Sequence, residues 1–152
     1  MSHLGINPVK ATVLVVDDSP EMQRYLRVLL ETDSYRVETA SNGQEALQSL
    51  GRGCVPQVVL LDLQMPGIDG LETLRRMREF LPRLKVIICS GVDDPAKILK
   101  AAALGAHSFL TKPVQYLYLS AAIERCLSEG PAKRAARHSG TQVFVLPSPS
   151  PL

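Results

Sequence analysis

Short apolar runs alternate with amphipathic stretches five times along the first 129 residues. The apolar runs are too short for typical helices and rich in β-branched residues, which is the pattern of strands buried on both faces. They predict strands at 12–16, 36–40, 58–61, 84–89 and 108–110. Between them, apolar residues recur at helical spacing and predict five helices, the last at about 114–128.

Five alternations of strand and helix predict an α/β protein. Each helix must cross over between strands that run in the same direction, so the strands form a parallel sheet with helices on both faces. The central strand ends at Asp62 and is followed by Pro66 and Gly67, which stop the strand and allow a tight loop.

Polar side chains follow the predicted strands at the point where each strand ends. They are Asp17 and Asp18, Asp62, Ser90 and Lys112. In a parallel sheet all carboxyl ends lie along one edge, so these groups should converge. Three carboxylates within ~5 Å repel by roughly 3 kcal/mol per pair at an effective dielectric constant of 20. A hard divalent cation would offset that repulsion, and Mg²⁺ fits best.

A cation, a lysine and a hydroxyl around one open carboxylate form a site for an incoming phosphoryl group. Phosphoryl transfer depends on positioning and charge neutralisation more than on covalent machinery. The residues therefore predict that Asp62 acts as a nucleophile and forms an acyl phosphate.

Four segments together resemble the receiver domain of two-component response regulators, the CheY-like superfamily. They are VLVVDDSP, VVLLDLQMPGIDGLE, VIICSG and FLTKP, and the resemblance covers about residues 11–128. It implies a flavodoxin-like (βα)5 fold, a five-stranded parallel sheet in the order 2-1-3-4-5 with helices on both faces.

The resemblance also implies roles for individual residues. Asp62 would be the phosphoacceptor, and Lys112 would contact the phosphate. The Lys112-Pro113 bond would be cis and would turn the lysine toward the site. Mg²⁺ would be held by Asp18, Asp62 and the backbone carbonyl of Gln64, with Asp17 binding through water. Ser90 would be the switch hydroxyl.

Some of these residues have a simpler structural interpretation. Phe109 matches the switch aromatic of receivers, but a core aromatic is about equally consistent with the sequence. Asp69, Asp93 and Asp94 are better explained as helix starts or caps than as ligands.

The predicted function is that of a signalling phosphoacceptor, which catalyses only its own phosphorylation and dephosphorylation. Its partner would be a sensor histidine kinase or phosphotransfer protein, and its output the control of transcription through an output domain or partner.

An interaction module independent of phosphate would usually have lost part of the acid, hydroxyl and lysine set. A flavin or small-molecule enzyme lacks support because no glycine-rich loop follows the first strand. A haloacid-dehalogenase-type phosphatase would need an acid at Gln64.

Composition agrees with a cytoplasmic globular protein. Apolar residues make up 45% and charged residues 21%, and no apolar run approaches the roughly 18 residues of a membrane span. The three cysteines, at positions 54, 89 and 126, form no CxxC pair and predict reduced packing residues. Residues 1–129 contain 14 Lys and Arg against 15 Asp and Glu, so no nucleic-acid-binding stripe is expected of this domain.

The predicted organisation is a leader at 1–10, a receiver domain at 11–129 and a linker or tail at 130–152 that could lead to an output domain. The tail carries three basic residues and no acid, and it has no place in the predicted sheet.

The last helix predicts a surface for a partner. Leu119, Ile123 and Leu127 have the spacing of a core stripe, but Tyr116, Leu117 and Tyr118 cannot all share it. At least one of the three should be exposed, which suggests a homodimer through the face formed by the fourth helix, fifth strand and fifth helix.

Overall fold

A computed structural model describes residues 8–91, 95–129 and 144–146. Strands and helices alternate along the chain as β1 (Thr12–Val16), α1 (Pro20–Thr32), β2 (Arg36–Ala40), α2 (Gly43–Gly51), β3 (Val58–Leu61), α3 (Gly70–Phe80), β4 (Lys85–Ser90), α4 (Pro95–Ala103), β5 (Ser108–Thr111), α5 (Tyr116–Ser128) and β6 (Phe144–Leu146). The sheet order is β2-β1-β3-β4-β5-β6, and every neighbouring pair is parallel.

The first five strands confirm the predicted α/β class and the order 2-1-3-4-5. The first three strands have the predicted bounds, whereas β4 lies one residue later and α5 begins at Tyr116 instead of near Val114. The predicted caps Asp93 and Asp94 lie outside the described residues.

The sixth strand corrects one expectation. The tail was predicted to have no place in the sheet, yet Phe144–Leu146 pairs with β5, with Ser108 opposite Phe144 and Leu110 opposite Leu146. Its three residues carry too short an apolar pattern to distinguish a strand from a loop. The physical reason for the pairing is the edge of β5, whose outward backbone groups need hydrogen-bond partners.

The sheet separates two hydrophobic clusters, because successive strand residues point to opposite faces. Val13 and Val15 of β1 pack with α1 and α5, while Leu14 and Val16 face the layer that contains α2, α3 and α4. β2 is a less buried edge strand, with an exposed Arg36. Among the described residues, no helix combines the length and apolarity needed to cross a membrane.

Side-chain caps fix where two helices begin. The Ser19 hydroxyl accepts a hydrogen bond from the Met22 N–H at 3.2 Å, directly before Pro20 at the start of α1. Asp69 accepts one from the Glu72 N–H at 2.8 Å and begins α3, as expected of a capping residue. Ser19 lies between the acids after β1 and the start of α1, and Asp69 lies between Asp62 and the start of α3. Each cap therefore fixes the end of the loop that follows an acid.

The buried face of α5 differs in one position from the predicted stripe. Leu119 and Ile123 are buried with Ala122 and Cys126, whereas Leu127 is exposed. The prediction for Leu127 was wrong because the small side chains of Ala122 and Cys126 let the helix lie against the sheet on their side.

The first turn of α5 confirms that an apolar residue faces outward. Leu117 is 76% exposed. Tyr116 instead donates a hydrogen bond to Asp33 at the end of α1, at 2.6 Å. Tyr25 of α1 donates to the backbone oxygen of Val114 at 2.7 Å, so α1 and the start of α5 are joined by two tyrosine hydroxyls.

Gly70 allows α3 to start directly against the residues that follow β3. A Cβ atom at this position would meet the Cα of Leu63 and lie 2.7 Å from the carbonyl oxygen of Asp62. Backbone atoms cannot move aside as a side-chain tip can. The close approach therefore holds the loop after Asp62 in place.

Gly70→Ala should destabilise the protein by about 1–3 kcal/mol, because the added methyl group overpacks this contact. Gly51→Ala is the matched control, since a Cβ there meets nothing within 4 Å. It should be neutral or stabilising by up to about 1 kcal/mol. Urea unfolding of both variants measures the difference, and equal stabilities would show that the loop adapts to the methyl group.

Candidate functional site

The site begins with two buried acids on neighbouring strands. Val16 and Leu61 are register partners in β1 and β3, so Asp17 and Asp62, the next residues, emerge side by side. Their side chains are buried, at 2% and 4% exposure. Asp18 is exposed, and one carboxylate oxygen from each of the three acids lies within 4.8 Å of the others.

Lys112 is the cation that meets both buried acids. It follows β5 and precedes a cis bond to Pro113, as predicted. Its Nζ donates to Oδ2 of Asp17 at 2.8 Å and to Oδ2 of Asp62 at 3.1 Å. One ammonium group therefore neutralises part of the charge of two carboxylates.

The second oxygen of each buried acid accepts from the backbone. Ser19 N–H donates to Oδ1 of Asp17, and Gln64 N–H donates to Oδ1 of Asp62, each at 2.9 Å. Each donor N–H lies two residues beyond the acid that accepts from it, so the orientation of both carboxylates is set by the loops after β1 and β3.

Burial dominates the protonation equilibrium of Asp62. Loss of solvation raises the pKa of Asp62, and this outweighs the Gln64 N–H and the charge of Lys112, which lower it. Burial alone would lower the pKa of Lys112. Its hydrogen bond to Asp17 and the charges of both acids outweigh that effect and raise the pKa of Lys112, so the lysine stays charged.

Ser90 lies on the other side of Asp62 from Asp17. It ends β4, the strand next to β3, and is buried. Its backbone oxygen accepts from the Lys112 N–H at 3.1 Å, which links the ends of β4 and β5. The structure thus brings together all five strand-end residues predicted to converge.

Phe109 lies further from the acids, on β5, and is 5% exposed. Its ring belongs to the cluster that contains Ile88, Ala101 and Ala106, on the α4 side of the sheet. The sequence is equally consistent with a switch aromatic and a core aromatic, and in this structure the ring packs in the core.

Gln23 is a residue of the site that the sequence analysis missed. Its amide donates to the backbone oxygen of Asp17 at 2.7 Å and to the Ser41 hydroxyl at 3.2 Å, so it joins α1 to the ends of β1 and β2. The sequence does contain one indication of this role. Gln23 is a polar residue in the first turn of the helix that follows the acidic pair.

The donor set fits a hard cation beside an anion. Three carboxylates supply oxygen ligands of the kind that Mg²⁺ and Ca²⁺ prefer, and Asp18 leaves the group open to solvent. Lys112 adds a cationic donor that contacts both Asp17 and Asp62. The fold and the acidic cluster define a flavodoxin-like α/β protein whose three carboxylates could hold a divalent metal ion at the carboxyl edge of the sheet.

Comparison with known proteins identifies the family. Residues 13–124 match the response regulator receiver domain, and the chain belongs to this family of signalling phosphoacceptors. It is 38% identical over 140 residues to the positive alginate biosynthesis regulatory protein of Pseudomonas aeruginosa, covering 90% of this chain and 52% of that protein. It is 36% identical over 103 residues to the chemotaxis protein CheY of Halobacterium salinarum, covering 68% and 85% of the two chains.

Solved structures of receiver domains support the same family assignment. The receiver domain of a Clostridium thermocellum response regulator superposes with a TM-score of 0.74 at 34% identity, covering 78% of this chain and 95% of that one. The chain spans about half the length of the alginate regulator.

Asp62→Asn should stabilise the metal-free protein near pH 7. Folding raises the pKa of Asp62, so between its ordinary and raised values the folded state binds more protons than the unfolded state. The Asp62 contribution to the free energy of unfolding is therefore full at low pH and is lost as pH rises through that window. Thermal unfolding in EDTA measures it, and the advantage of the variant should shrink toward acid pH.

The control is Glu38→Gln, an acid on the sheet edge paired with Arg36 at 3.6 Å, which should change little. Adding Mg²⁺ should stabilise the wild type more than Asp62→Asn. A variant less stable than wild type at pH 7 would contradict the electrostatic account.

Proposed function

We propose that Asp62 accepts a phosphoryl group from the phosphohistidine of a sensor histidine kinase or phosphotransfer protein, in a Mg²⁺-dependent reaction in the cytoplasm. The observation that carries this proposal is the environment of Asp62. It follows β3, with the acids of β1 on one side and Ser90 of β4 on the other, and Lys112 donates to both Asp17 and Asp62. A phosphoryl group there would be flanked by donors and by a cation site at once.

The chemistry requires little covalent machinery. An oxygen of the Asp62 carboxylate attacks phosphorus as the bond between phosphorus and the histidine nitrogen breaks, and the electron pair stays on the imidazole. Lys112 holds a positive charge against Asp62 throughout, while the Gln64 N–H orients the carboxylate. The residues stabilise charge in place and need not move protons.

The proposed Mg²⁺ ligands are Asp18, Asp62 and the backbone carbonyl of Gln64, with Asp17 acting through water. The cluster of three carboxylate oxygens supports this assignment. When bound, the ion would neutralise charge between the acids and the incoming phosphoryl oxygens.

Ser90 and Phe109 are proposed to couple phosphorylation of Asp62 to a change in conformation at the protein surface. The Ser90 hydroxyl would bond a phosphoryl oxygen, and the Phe109 ring would be favoured on the inner side of β5. Because the ring already lies inside, phosphorylation would act by holding it there against an outward position. The effect depends on a difference in free energy between the two states.

The output is proposed to be control of transcription through an output domain or partner. We assign 1–10 as a leader, 11–129 as the receiver domain and 130–152 as a linker or tail. A regulatory output is supported by the alginate relative, which is a regulatory protein and of whose length this chain spans about half.

Phosphorylation of Asp62 is tested with a small phosphodonor. Acetyl phosphate and Mg²⁺ should add the mass of one phosphoryl group to the wild type, and Asp62→Asn should abolish the addition. EDTA should slow the reaction strongly, because the charge on the acids is then not offset. Intact-mass spectrometry with peptide mapping reads the result. Asp33→Asn, a change to an acid distant from the cluster, is the control and should react normally.

Undiminished labelling of Asp62→Asn would remove this residue from the proposed role. A wild type that takes up no phosphate from any donor would instead favour an interaction module independent of phosphate.

The face formed by α4, β5 and α5 is proposed to bind a partner, including a second copy of this chain. Leu99 on α4 and Leu117 on α5 are 70% and 76% exposed, and exposed large apolar side chains are typical of partner surfaces. Tyr116 contributes less than the sequence suggested, since its hydroxyl bonds Asp33 on α1. Because β6 lies along β5, the contact would use the helices.

Phosphorylation should favour self-association through this face. Sedimentation velocity should show more dimer with a phosphoryl mimic, and Leu99→Ser with Leu117→Ser should reduce the dimer at least several-fold. Val28→Ser, on α1, is the matched control because Val28 is equally apolar and also exposed. A wild type that stays monomeric in both states would rule out self-association.

A further inference from the structure

β6 occupies the edge of the strand that leads into the site. Phe144–Leu146 pairs in parallel with β5, and its register partners are Ser108, Phe109 and Leu110. The receiver match ends at residue 124, so this strand is an addition to the part of the chain that defines the family. Without it, β5 would be an edge strand with a row of unpaired backbone groups.

The three β5 residues paired by β6 directly precede the functional end of the strand. Thr111 is the register partner of Ser90 on β4. Lys112 comes next and bonds both buried acids. A strand paired along β5 therefore adjoins the residues that respond to charge at Asp62.

Phe109 connects the edge to the interior. On the outermost strand of a sheet, an aromatic ring can rotate outward beyond the strand and become exposed to solvent. Val145 is the register partner of Phe109, and a neighbouring strand lies only about 4.8 Å away. Its backbone takes the space that an outward ring would need. β6 pairing therefore favours the inward ring seen in this structure.

We propose that β6 is a regulatory strand: its pairing with the β5 edge and phosphorylation of Asp62 stabilise each other through Phe109. This inference rests on the proposed coupling of Ser90 and Phe109 to phosphorylation. Linkage is reciprocal, so phosphorylation should tighten β6 on β5, and β6 should increase affinity for the phosphoryl state. The occupant of the edge is the chain's own residues 144–146.

The test uses the full chain and a double variant, Phe144→Pro with Val145→Pro. N–H groups of successive strand residues point to opposite sides, so two adjacent prolines remove at least one donor of the ladder in either register. Ala135→Pro with Ala136→Pro adds the same two prolines to the same tail and is the control. A chain ending at Gly140 is a second way to remove β6.

Two readouts are needed. The first is the affinity for Mg²⁺ with beryllium trifluoride, a mimic of the phosphoryl group on a carboxylate. It should fall about five-fold or more in the double-proline variant and the shortened chain, and be unchanged in the control. The second is hydrogen exchange of the β5 amides, which should slow further in the wild type when the mimic binds.

Ser90→Ala tests the route of the coupling. If β6 acts through Ser90 and Phe109, the wild type and the double-proline variant should differ much less in affinity once Ser90 is replaced. An undiminished difference would overturn the proposed route.

The failures of the two proposals are distinguishable. Equal mimic affinity with and without β6 overturns the regulatory strand and leaves Asp62 as phosphoacceptor. Equal exchange of the β5 amides in wild type and double-proline variant overturns the pairing in solution. A wild type that neither binds the mimic nor takes up phosphate overturns both proposals.

Discussion

The structure depends on placing two carboxylates side by side in a buried position. Asp17 and Asp62 would repel each other strongly at the end of adjacent parallel strands, and loss of solvation adds to that cost. Lys112 offsets the repulsion only because it bonds both acids at once, at 2.8 and 3.1 Å. The ends of β1, β3 and β5 must therefore lie along one edge, and the parallel direction of the strands provides this.

Much of the fold and the site could be predicted from the sequence, because the signals are local and repeated. The apolar runs before Asp17 and Asp62 mark central strands, since their residues face helices on both sides. Parallel topology then brings the strand ends to one edge. Asp17, Asp18, Asp62, Ser90 and Lys112 all follow or end strands, so their convergence could be predicted without any distance, and the structure places them along one edge.

The remaining features depend on packing that no local pattern encodes. Leu127 has the right spacing for the core, yet Ala122 and Cys126 take the buried positions. Gln23 acts through backbone oxygens of Asp17 and Ala40, and such acceptors are present in any sequence. β6 is a third case, because three residues pair with whichever edge is within reach. The orientation of Phe109 likewise depended on tertiary contacts with Ala101 and Ala106.

The way each buried acid is bonded has a consequence for symmetry. In free aspartate the two carboxylate oxygens are equivalent. In this pocket Oδ1 of Asp62 faces a backbone N–H of the loop and Oδ2 faces an ammonium group, and Asp17 repeats the same division. Turning either carboxylate over would break two hydrogen bonds at once. The fold thus gives the two oxygen positions of Asp62 different partners, so they are no longer equivalent as they are in free aspartate.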